Sequence, residues 1–281
     1  HHEQQHGELL LTDIKYNLAV NPLRPAYRER TASPTPSAPP LRWLPYEGGV
    51  RQTGHAGEDF AFDNEGPRHR VYLDGYRLAS RLVTNGEYLQ FMAAGGYREP
   101  RYWLSDGWRT VQEQGWSAPL YWEQVDGEWW SMTLVGMRPV VESEPVCHVS
   151  FYEGDAYARW AGKRLPMEAE WECAAERVPV GGNLLEKDHL HPIPAAPDAR
   201  EPAQLFGDVW EWTASPYVSY PGFRPAPGAV GEYNGKFMCN QMVLRGGSCA
   251  TPGSHIRSSY RNFFPPEARW QFSGIRLADG A

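Results

Sequence analysis

Three features that mark common classes of protein are absent from this sequence of 281 residues. No apolar run approaches the roughly 18 residues of a membrane-spanning helix, and the four cysteines form no CxxC pair. The formal net charge of -7 also differs from the basic charge of a typical nucleic-acid-binding domain. We therefore expect no membrane partner, no nucleic-acid partner and no disulfide scaffold, and the widely spaced thiols favour a reduced, cytoplasmic protein.

Residues that build turns and anchor loops are abundant instead. The chain has 28 Gly and 25 Pro, which favour turns, together with 12 Trp and 15 Tyr, whose rings can pack irregular backbone. We find no βαβ alternation and no internal repeat. The sequence therefore predicts an α+β domain with little regular secondary structure.

The first twenty residues differ in pattern from the rest. His2, His6, Leu10, Ile14 and Leu18 recur at every fourth position, so residues 1 to about 19 are predicted to form one helix with these side chains along an apolar stripe. Residues 21–45 are rich in Pro, Ser, Thr and Arg and are predicted to be a connector, and residues 46–281 the main domain. The chain starts with His inside this helical pattern, so we expect that further sequence precedes it.

Local signals predict several short elements in the main domain. The segment HRVYLDGYRLAS is typical of strands around a turn, and Thr84 is predicted to cap a helix in NGEYLQFMAAG. PVCHVS is predicted to be a strand leading into a capping box at Ser150 to Glu153, where the next helix begins. Pro166 is predicted in the first turn of a helix in PMEAEWECAAE. Further strands are expected in MVLRGGS and SGIRLA.

Residues 2–6 read HEQQH, which matches the H-E-x-x-H pattern of zinc proteases. The metzincin extension would need a glycine at position 9 and a histidine at position 12, where this chain has Leu9 and Thr12. A gluzincin-type glutamate is expected on a following helix, but Glu29 lies in the connector. Three interpretations remain open, and a zinc protease is the least supported of them. In the other two, His2 and His6 are helix histidines with structural partners, or they are two ligands of a metal whose third ligand lies elsewhere.

Longer segments resemble a known family. The segments CHVSFYEGDAYARWAGKRLPMEAEWE, GDVWEWTASPY and GEYNGKFMCNQMVLRGGSCATPGSHIRSSYRNFFPPEARWQFSGIRLA resemble the domain shared by formylglycine-generating enzymes and ergothioneine-type sulfoxide synthases. HEQQHGELLLTDI resembles the last helix of the DinB-like four-helix bundle that precedes this domain in the synthases. The resemblance implies a fold related to C-type lectins from about residue 45 to 279.

The resemblance also implies an activity and a site. Such enzymes use Fe(II) and O2 to join a sulfur donor to C2 of the imidazole of hercynine (Nα-trimethylhistidine), and selenoneine synthases are related to them. His2 and His6 would be two iron ligands, with a third histidine and a proton-donating tyrosine outside this chain. The substrate-binding residues implied are Gln5, Trp210, Tyr233, Asn262, Phe263 and Phe264, and Trp212 is a further aromatic candidate. The remaining histidines are expected to be ordinary surface or core residues: His55, His69, His148, His189, His191 and His255.

The sequence departs from the family members that use γ-glutamylcysteine. Those enzymes have Trp-Asp after the residue matching Asn262, where this chain has Phe263 and Phe264, and their catalytic tyrosine matches Val230. The resemblance is therefore to enzymes that take cysteine directly, or to selenoneine synthases, which take a selenosugar. A formylglycine-generating oxidase is a weaker alternative, because Cys249 has no second cysteine close after it. A non-catalytic lectin-like binding module is the other.

Overall fold

Short helices and strands alternate with long irregular segments in the computed structural model, which describes residues 1–29, 36–197, 202–228, 231 and 234–280. The helices are α1 (His2–Val20), α2 (Asn85–Ala93), α3 (Ser105–Gln114), α4 (Phe151–Trp160) and α5 (Glu168–Ala175). The strands are β1 (Trp43–Tyr46), β2 (Gly49–Thr53), β3 (His69–Leu73), β4 (Tyr76–Ala79), β5 (Trp122–Val125), β6 (Glu128–Thr133), β7 (Gly136–Pro139), β8 (Trp210–Pro216), β9 (Met242–Arg245), β10 (Asn262–Phe264), β11 (Ser273–Gly274) and β12 (Ala278–Gly280). The predicted α+β class with little regular structure is confirmed.

The described strands form small sheets rather than one continuous layer. Strands β1, β4 and β12 form one antiparallel sheet, β2 pairs with β3, and β5, β6 and β7 form a meander. The sheet that matters most for the site has the order β10-β9-β8-β11, in which only the β8–β11 pair is parallel. Helix α4 packs against β8, and α5 packs against β8 and β9.

Both predicted helix caps are present. The hydroxyl of Thr84 accepts a hydrogen bond from the backbone N–H of Glu87, whose carboxylate accepts from the backbone N–H of Thr84. Ser150 and Glu153 make the same reciprocal pair at the start of α4. These motifs were predictable because both partners lie three residues apart in the sequence.

Other local predictions were wrong. Within residues 145–150 only Pro145 forms a β-bridge, with Thr84, and His148 has a φ of 62°, which interrupts an extended strand. Helix α5 begins at Glu168, so Pro166 lies before its N-cap rather than in its first turn. By contrast, HRVYLDGYRLAS forms the two strands predicted, β3 and β4, and each of them pairs with a different neighbour.

Aromatic rings and buried ion pairs hold the irregular segments together. Trp171, Trp210 and Trp212 are almost completely buried. The carboxylate of Glu211 accepts hydrogen bonds from the indole N–H of Trp171 and from Arg276, whose nearest guanidinium nitrogen is 2.8 Å away. A charge in such an interior needs a paired partner, and the Glu211–Arg276 pair ties the segment between β11 and β12 to β8.

Helix α1 is present as predicted, but it turns a different side toward the domain. Its buried residues are Glu8, Thr12 and Lys15, whereas Leu10 is 60% exposed. His2 and His6 are also exposed, so the predicted stripe is packed only in part, with Ile14 against a buried cluster of the domain. The prediction failed because Glu8 and Lys15 are polar and find hydrogen-bond partners on the domain, which a pattern of apolar residues cannot show.

Described residues of the segment predicted to be a connector make hydrogen bonds with the domain. The backbone N–H groups of Tyr27 and Arg28 donate to the carbonyl of Leu134, after β6. The last residues of the predicted connector, Trp43 to Pro45, belong to β1. The described helices include none with the length and apolar character that crossing a membrane requires.

Candidate active site

A cavity of about 150 Å³ lies between helix α1 and strand β10. Helix α1 and strand β10 contribute most of the sequence-predicted side chains, and β8 contributes Trp210. The described lining is Gln5, Glu8, Leu9, Phe62, Asn64, Trp210, Asn234, Phe237, Tyr260, Arg261, Asn262, Phe263, Phe264 and Gln271. Five of the predicted substrate-binding residues, far apart in the sequence, therefore surround one space.

The helix side of the cavity is fixed by hydrogen bonds. The amide NH2 of Gln5 donates to the hydroxyl of Tyr260 at 2.6 Å. One turn later, the buried carboxylate of Glu8 accepts from the indole N–H of Trp210 at 2.8 Å, from Ser248 Oγ at 2.6 Å and from Thr251 Oγ1 at 2.9 Å. Burial raises the pKa of Glu8, and these hydrogen bonds oppose that change.

The β10 side combines an amide with aromatic rings. Asn262 Oδ1 accepts from the backbone N–H of Phe263 at 2.9 Å, which leaves its NH2 group available. The ring of Phe263 stacks on Tyr217 with centroids 4.0 Å apart, and Phe264 meets Trp270 edge-on at 4.7 Å. Both phenylalanines are thus held in place by rings outside the cavity.

The two histidines predicted to bind metal lie next to each other on the exposed side of α1. Their Nε2 atoms are 3.3 Å apart and their rings meet edge to face. Two nitrogens that each lie about 2.1 Å from one metal are separated by roughly 3.0–3.4 Å, so this geometry fits a pair of ligands. No set of three His, Cys, Asp or Glu side chains within the described residues could hold a metal ion. His2 and His6 can therefore supply only part of a coordination shell.

Some predicted residues lie elsewhere. Neither His2 nor His6 belongs to the described lining of the cavity, although Gln5 precedes His6 directly. Trp212 is a core residue that donates to the carbonyl of Val149 and does not line the cavity. Tyr233 lies outside the residues that the structure describes, as does Val230.

A chain of rings connects the start of α1 to the cavity. His255 Nε2 lies 3.0 Å from the Tyr260 hydroxyl, and its Nδ1 lies 3.3 Å from Nδ1 of His1. The His1 ring also stacks on Phe60 at 4.1 Å. Burial lowers the pKa of His255 to about 4, so this ring is neutral near pH 7 and can accept a hydrogen bond from the Tyr260 hydroxyl or donate one to it.

The other end of α1 is anchored by a buried lysine. Lys15 Nζ lies 2.6 Å from Nε2 of His148 and 5.0 Å from the ring centroids of both Tyr121 and Phe272. Burial lowers the pKa of Lys15 from 10.5 to about 8 and, with the nearby ammonium, lowers the pKa of His148 well below 6.5. His148 was predicted to be an ordinary histidine, and its role here is structural.

The charged side chains of the lining already have partners. The guanidinium of Arg261 donates to both oxygens of Glu168 at 3.0 Å, and Glu8 is hydrogen-bonded as described above. A ligand therefore meets aromatic faces and neutral amides. Aromatic faces attract cations, including those that have no N–H to donate.

Sequence reasoning missed several lining residues. Glu8, Tyr260 and Gln271 were not predicted, and neither was Asn64, whose buried Oδ1 accepts no hydrogen bond from any described residue. The proximity of Glu8 to Gln5 on one helix was the available signal for Glu8. Nothing in the local sequence marked Gln271 or Asn64.

Comparison with known proteins places the fold in a family. Residues 30–201 and 197–281 match the family model described as sulfatase-modifying factor enzyme 1-like domain. A protein named hercynine oxygenase from Mycolicibacterium smegmatis is 39% identical over 79% of this chain, and one from Mycobacterium tuberculosis is 36% identical over 99%. The chain spans 56% and 69% of the lengths of these two relatives.

More distant matches agree on the fold. A formylglycine-generating enzyme from Streptomyces coelicolor is 29% identical over 89% of this chain and 94% of its own length. The solved structure of PvdO from Pseudomonas aeruginosa superposes with a TM-score of 0.58 at 18% identity, covering 89% of this chain and all of that one. At such low identity the superposition shows a shared fold alone.

Proposed function

Because the chain belongs to the sulfatase-modifying factor enzyme 1-like family and has relatives named hercynine oxygenase, we propose that it acts on hercynine. The reaction proposed is the Fe(II)- and O2-dependent coupling of a sulfur donor to C2 of the hercynine imidazole. The observation that carries this proposal is the convergence of Gln5, Trp210, Asn262, Phe263 and Phe264 on one cavity.

The chemistry of the cavity suits hercynine. Its quaternary ammonium has no N–H, so a site must hold it through aromatic faces. Trp210 and Phe263 supply such faces, and the Glu8 carboxylate fixes the Trp210 ring. The NH2 group of Asn262 can donate to the carboxylate of the substrate.

We propose that His2 and His6 are two of the ligands of the iron. Their Nε2 separation of 3.3 Å supports this role. When bound, Fe(II) would supply the redox chemistry with O2 and a point at which donor and substrate are held as neighbours. The role of the chain itself is to hold and orient the substrate. Gln5, next to His6, is fixed at the cavity wall by its hydrogen bond to the Tyr260 hydroxyl.

Cysteine is the donor that we propose. A γ-glutamyl donor brings an additional ammonium and carboxylate, which need charged partners when they leave water. Phe263 and Phe264 offer none, and Arg261 is already paired with Glu168. A selenosugar, whose hydroxyls carry no charge, suits the same wall and is the second candidate donor.

The proposal includes an arrangement of the chain. Helix α1 would be the last helix of a DinB-like four-helix bundle, residues 21–45 the connector and residues 46–281 the catalytic domain. The proton-donating tyrosine and the third iron ligand would lie outside this chain. The cysteines Cys147, Cys173, Cys239 and Cys249 are all free, which supports a reducing, cytoplasmic location.

A copper-dependent formylglycine-generating activity is less well supported. It would need a pair of thiolates after the RGGS segment, where Cys249 stands alone. Burial raises the pKa of Cys249 well above its ordinary value, which opposes formation of a thiolate.

The test is direct. The full-length protein, including the part that precedes this chain, is purified, loaded with Fe(II) and mixed with hercynine, cysteine and O2, and the products are resolved by mass. We expect a hercynine–cysteine adduct oxidised at sulfur and formed only when both iron and O2 are present. Absence of hercynine consumption by an iron-loaded, folded protein would reject the proposal.

A further inference from the structure

Gln271 is a buried amide at the cavity wall, in the loop that precedes β11. The residue is only 3% exposed. Its Oε1 accepts a hydrogen bond from the backbone N–H of Phe272 at 2.7 Å. Its NH2 group makes no hydrogen bond with any residue that the structure describes. The nitrogen nevertheless remains accessible to a small molecule such as water. The lining of the cavity therefore includes a largely buried residue whose NH2 group has no partner among the described residues.

Asn262 repeats this arrangement on the neighbouring wall. Its Oδ1 is held by the N–H of the next residue, Phe263, and its NH2 group likewise has no partner among the described residues. A backbone N–H can only donate, so the oxygen of each amide must be the atom that faces it. The orientation of both amides is thus determined by the backbone, and each leaves its NH2 group free.

Two free NH2 groups at one cavity call for a ligand with several acceptor atoms. A carboxylate has two oxygens and accepts from two donors at once, and such charge-assisted hydrogen bonds are stronger than neutral ones. The cation of the lining, Arg261, is held by Glu168 and leaves the amides as the available donors.

We infer that Gln271, together with Asn262, binds the carboxylate of an amino-acid-derived ligand and makes that carboxylate a condition of tight binding. This inference rests on the proposed function, in which the ligand is hercynine. Gln271 is then a specificity-determining residue: it distinguishes hercynine from its decarboxylated analogue, which has the same imidazole and quaternary ammonium but no anion.

The experiment compares two ligands and two variants. Binding of hercynine and of Nα-trimethylhistamine, the decarboxylated analogue, is measured by calorimetry without O2 and with Fe(II) present. Gln271→Glu keeps the oxygen that accepts from Phe272 but replaces the NH2 group with an oxygen that repels a carboxylate. Gln52→Glu, on the exposed side of β2, makes the same charge change away from the cavity and serves as the control.

We expect Gln271→Glu to weaken hercynine binding by about ten-fold or more, the value of a lost hydrogen bond to a charged group, without weakening binding of the decarboxylated analogue. Gln52→Glu should bind both ligands like the unmodified protein. Equal weakening of both ligands, or no change in either, would overturn the inference. If Gln271→Glu does not fold, as judged by circular dichroism, Gln271→Met is used and the same criteria apply. Failure of the unmodified protein to bind hercynine would instead overturn the proposed function, and the inference with it.

Discussion

The carboxylate of Glu8 and the indole N–H of Trp210 are joined by a hydrogen bond of 2.8 Å in the buried interior. Glu8 belongs to the helix that carries Gln5 and His6, whereas Trp210 begins the central strand β8 and lines the cavity. The same carboxylate also binds Ser248 and Thr251, which follow β9. One side chain therefore sets the position of the helix relative to the cavity wall.

Replacing Glu8 tests this positioning. Glu8→Ala leaves the Trp210 N–H and the Ser248 hydroxyl without an acceptor, so we expect the free energy of unfolding to fall by about 1.5–3 kcal/mol. Glu8→Gln keeps an oxygen for both donors and should lose less. Urea unfolding followed by tryptophan fluorescence measures both variants. Equal stability of Glu8→Ala and the unmodified protein would contradict the role.

Lys15 should make the free energy of unfolding vary with pH in the alkaline range. Its pKa is 10.5 in the unfolded chain and about 8 when folded, so between these values the unfolded state holds a proton that the folded state has released. Stability contributed through Lys15 therefore rises with pH across that window. We expect the unfolding free energy of the unmodified protein, minus that of Lys15→Met, to increase from pH 8 to 10.5. Lys187→Met, at an exposed site, should show no such trend, and a flat difference for Lys15→Met would refute the assignment.

Iron binding tests the histidine pair. His6→Ala removes one of two neighbouring imidazoles, so the full-length protein should lose most of its bound Fe(II), measured by elemental analysis after gel filtration. His2→Ala should behave alike, because a single imidazole cannot replace the pair. His189→Ala, an exposed histidine far along the sequence, is the matched control. Full iron loading of His6→Ala would exclude His6 as a ligand.

Replacing Asn262 should weaken binding of the substrate without changing binding of the metal. Loss of its NH2 group in Asn262→Ala removes a hydrogen bond to a charged group, so the hercynine concentration for half-maximal rate should rise about ten- to hundred-fold. Iron content should stay unchanged. An unaltered hercynine dependence would remove Asn262 from the site.

The donor preference follows from the wall formed by Phe263 and Phe264. We expect turnover with cysteine or with a selenosugar, and little with γ-glutamylcysteine, whose additional charges would lose water without gaining partners. Each donor is supplied in turn with hercynine, Fe(II) and O2 held constant, and products are resolved by mass. Efficient use of γ-glutamylcysteine would contradict the argument, whereas turnover with the selenosugar alone would identify selenium as the transferred element.

Local chemistry in the sequence predicted the local parts of the fold. The caps at Thr84 and Ser150 were predictable because each depends on residues three positions apart. The packed face of α1 was not, since Glu8 and Lys15 are buried only because distant residues supply Trp210 and His148 as partners. A sequence pattern contains no information about such partners until the fold brings them together.

The candidate site divides in the same way. Gln5 and Asn262 were found through motifs, and both line the cavity. Gln271 and Asn64 were missed because their role depends on which of their polar atoms remain unsatisfied, and only the folded structure shows this. The position of Tyr233 remains a prediction from the motif alone.

Hydrogen bonds near both ends of helix α1 make its function depend on the exact number of residues between them. Gln5 is held by Tyr260 at one end and Lys15 by His148 at the other, about 15 Å apart at 1.5 Å per residue. An inserted or deleted residue between them would rotate one end of the helix by about 100° relative to the other. Gln5 or Lys15 would then lose its hydrogen-bond partner. Length changes in the connector alter no spacing along α1. Natural or engineered length variation should therefore accumulate in the connector and be excluded from the helix.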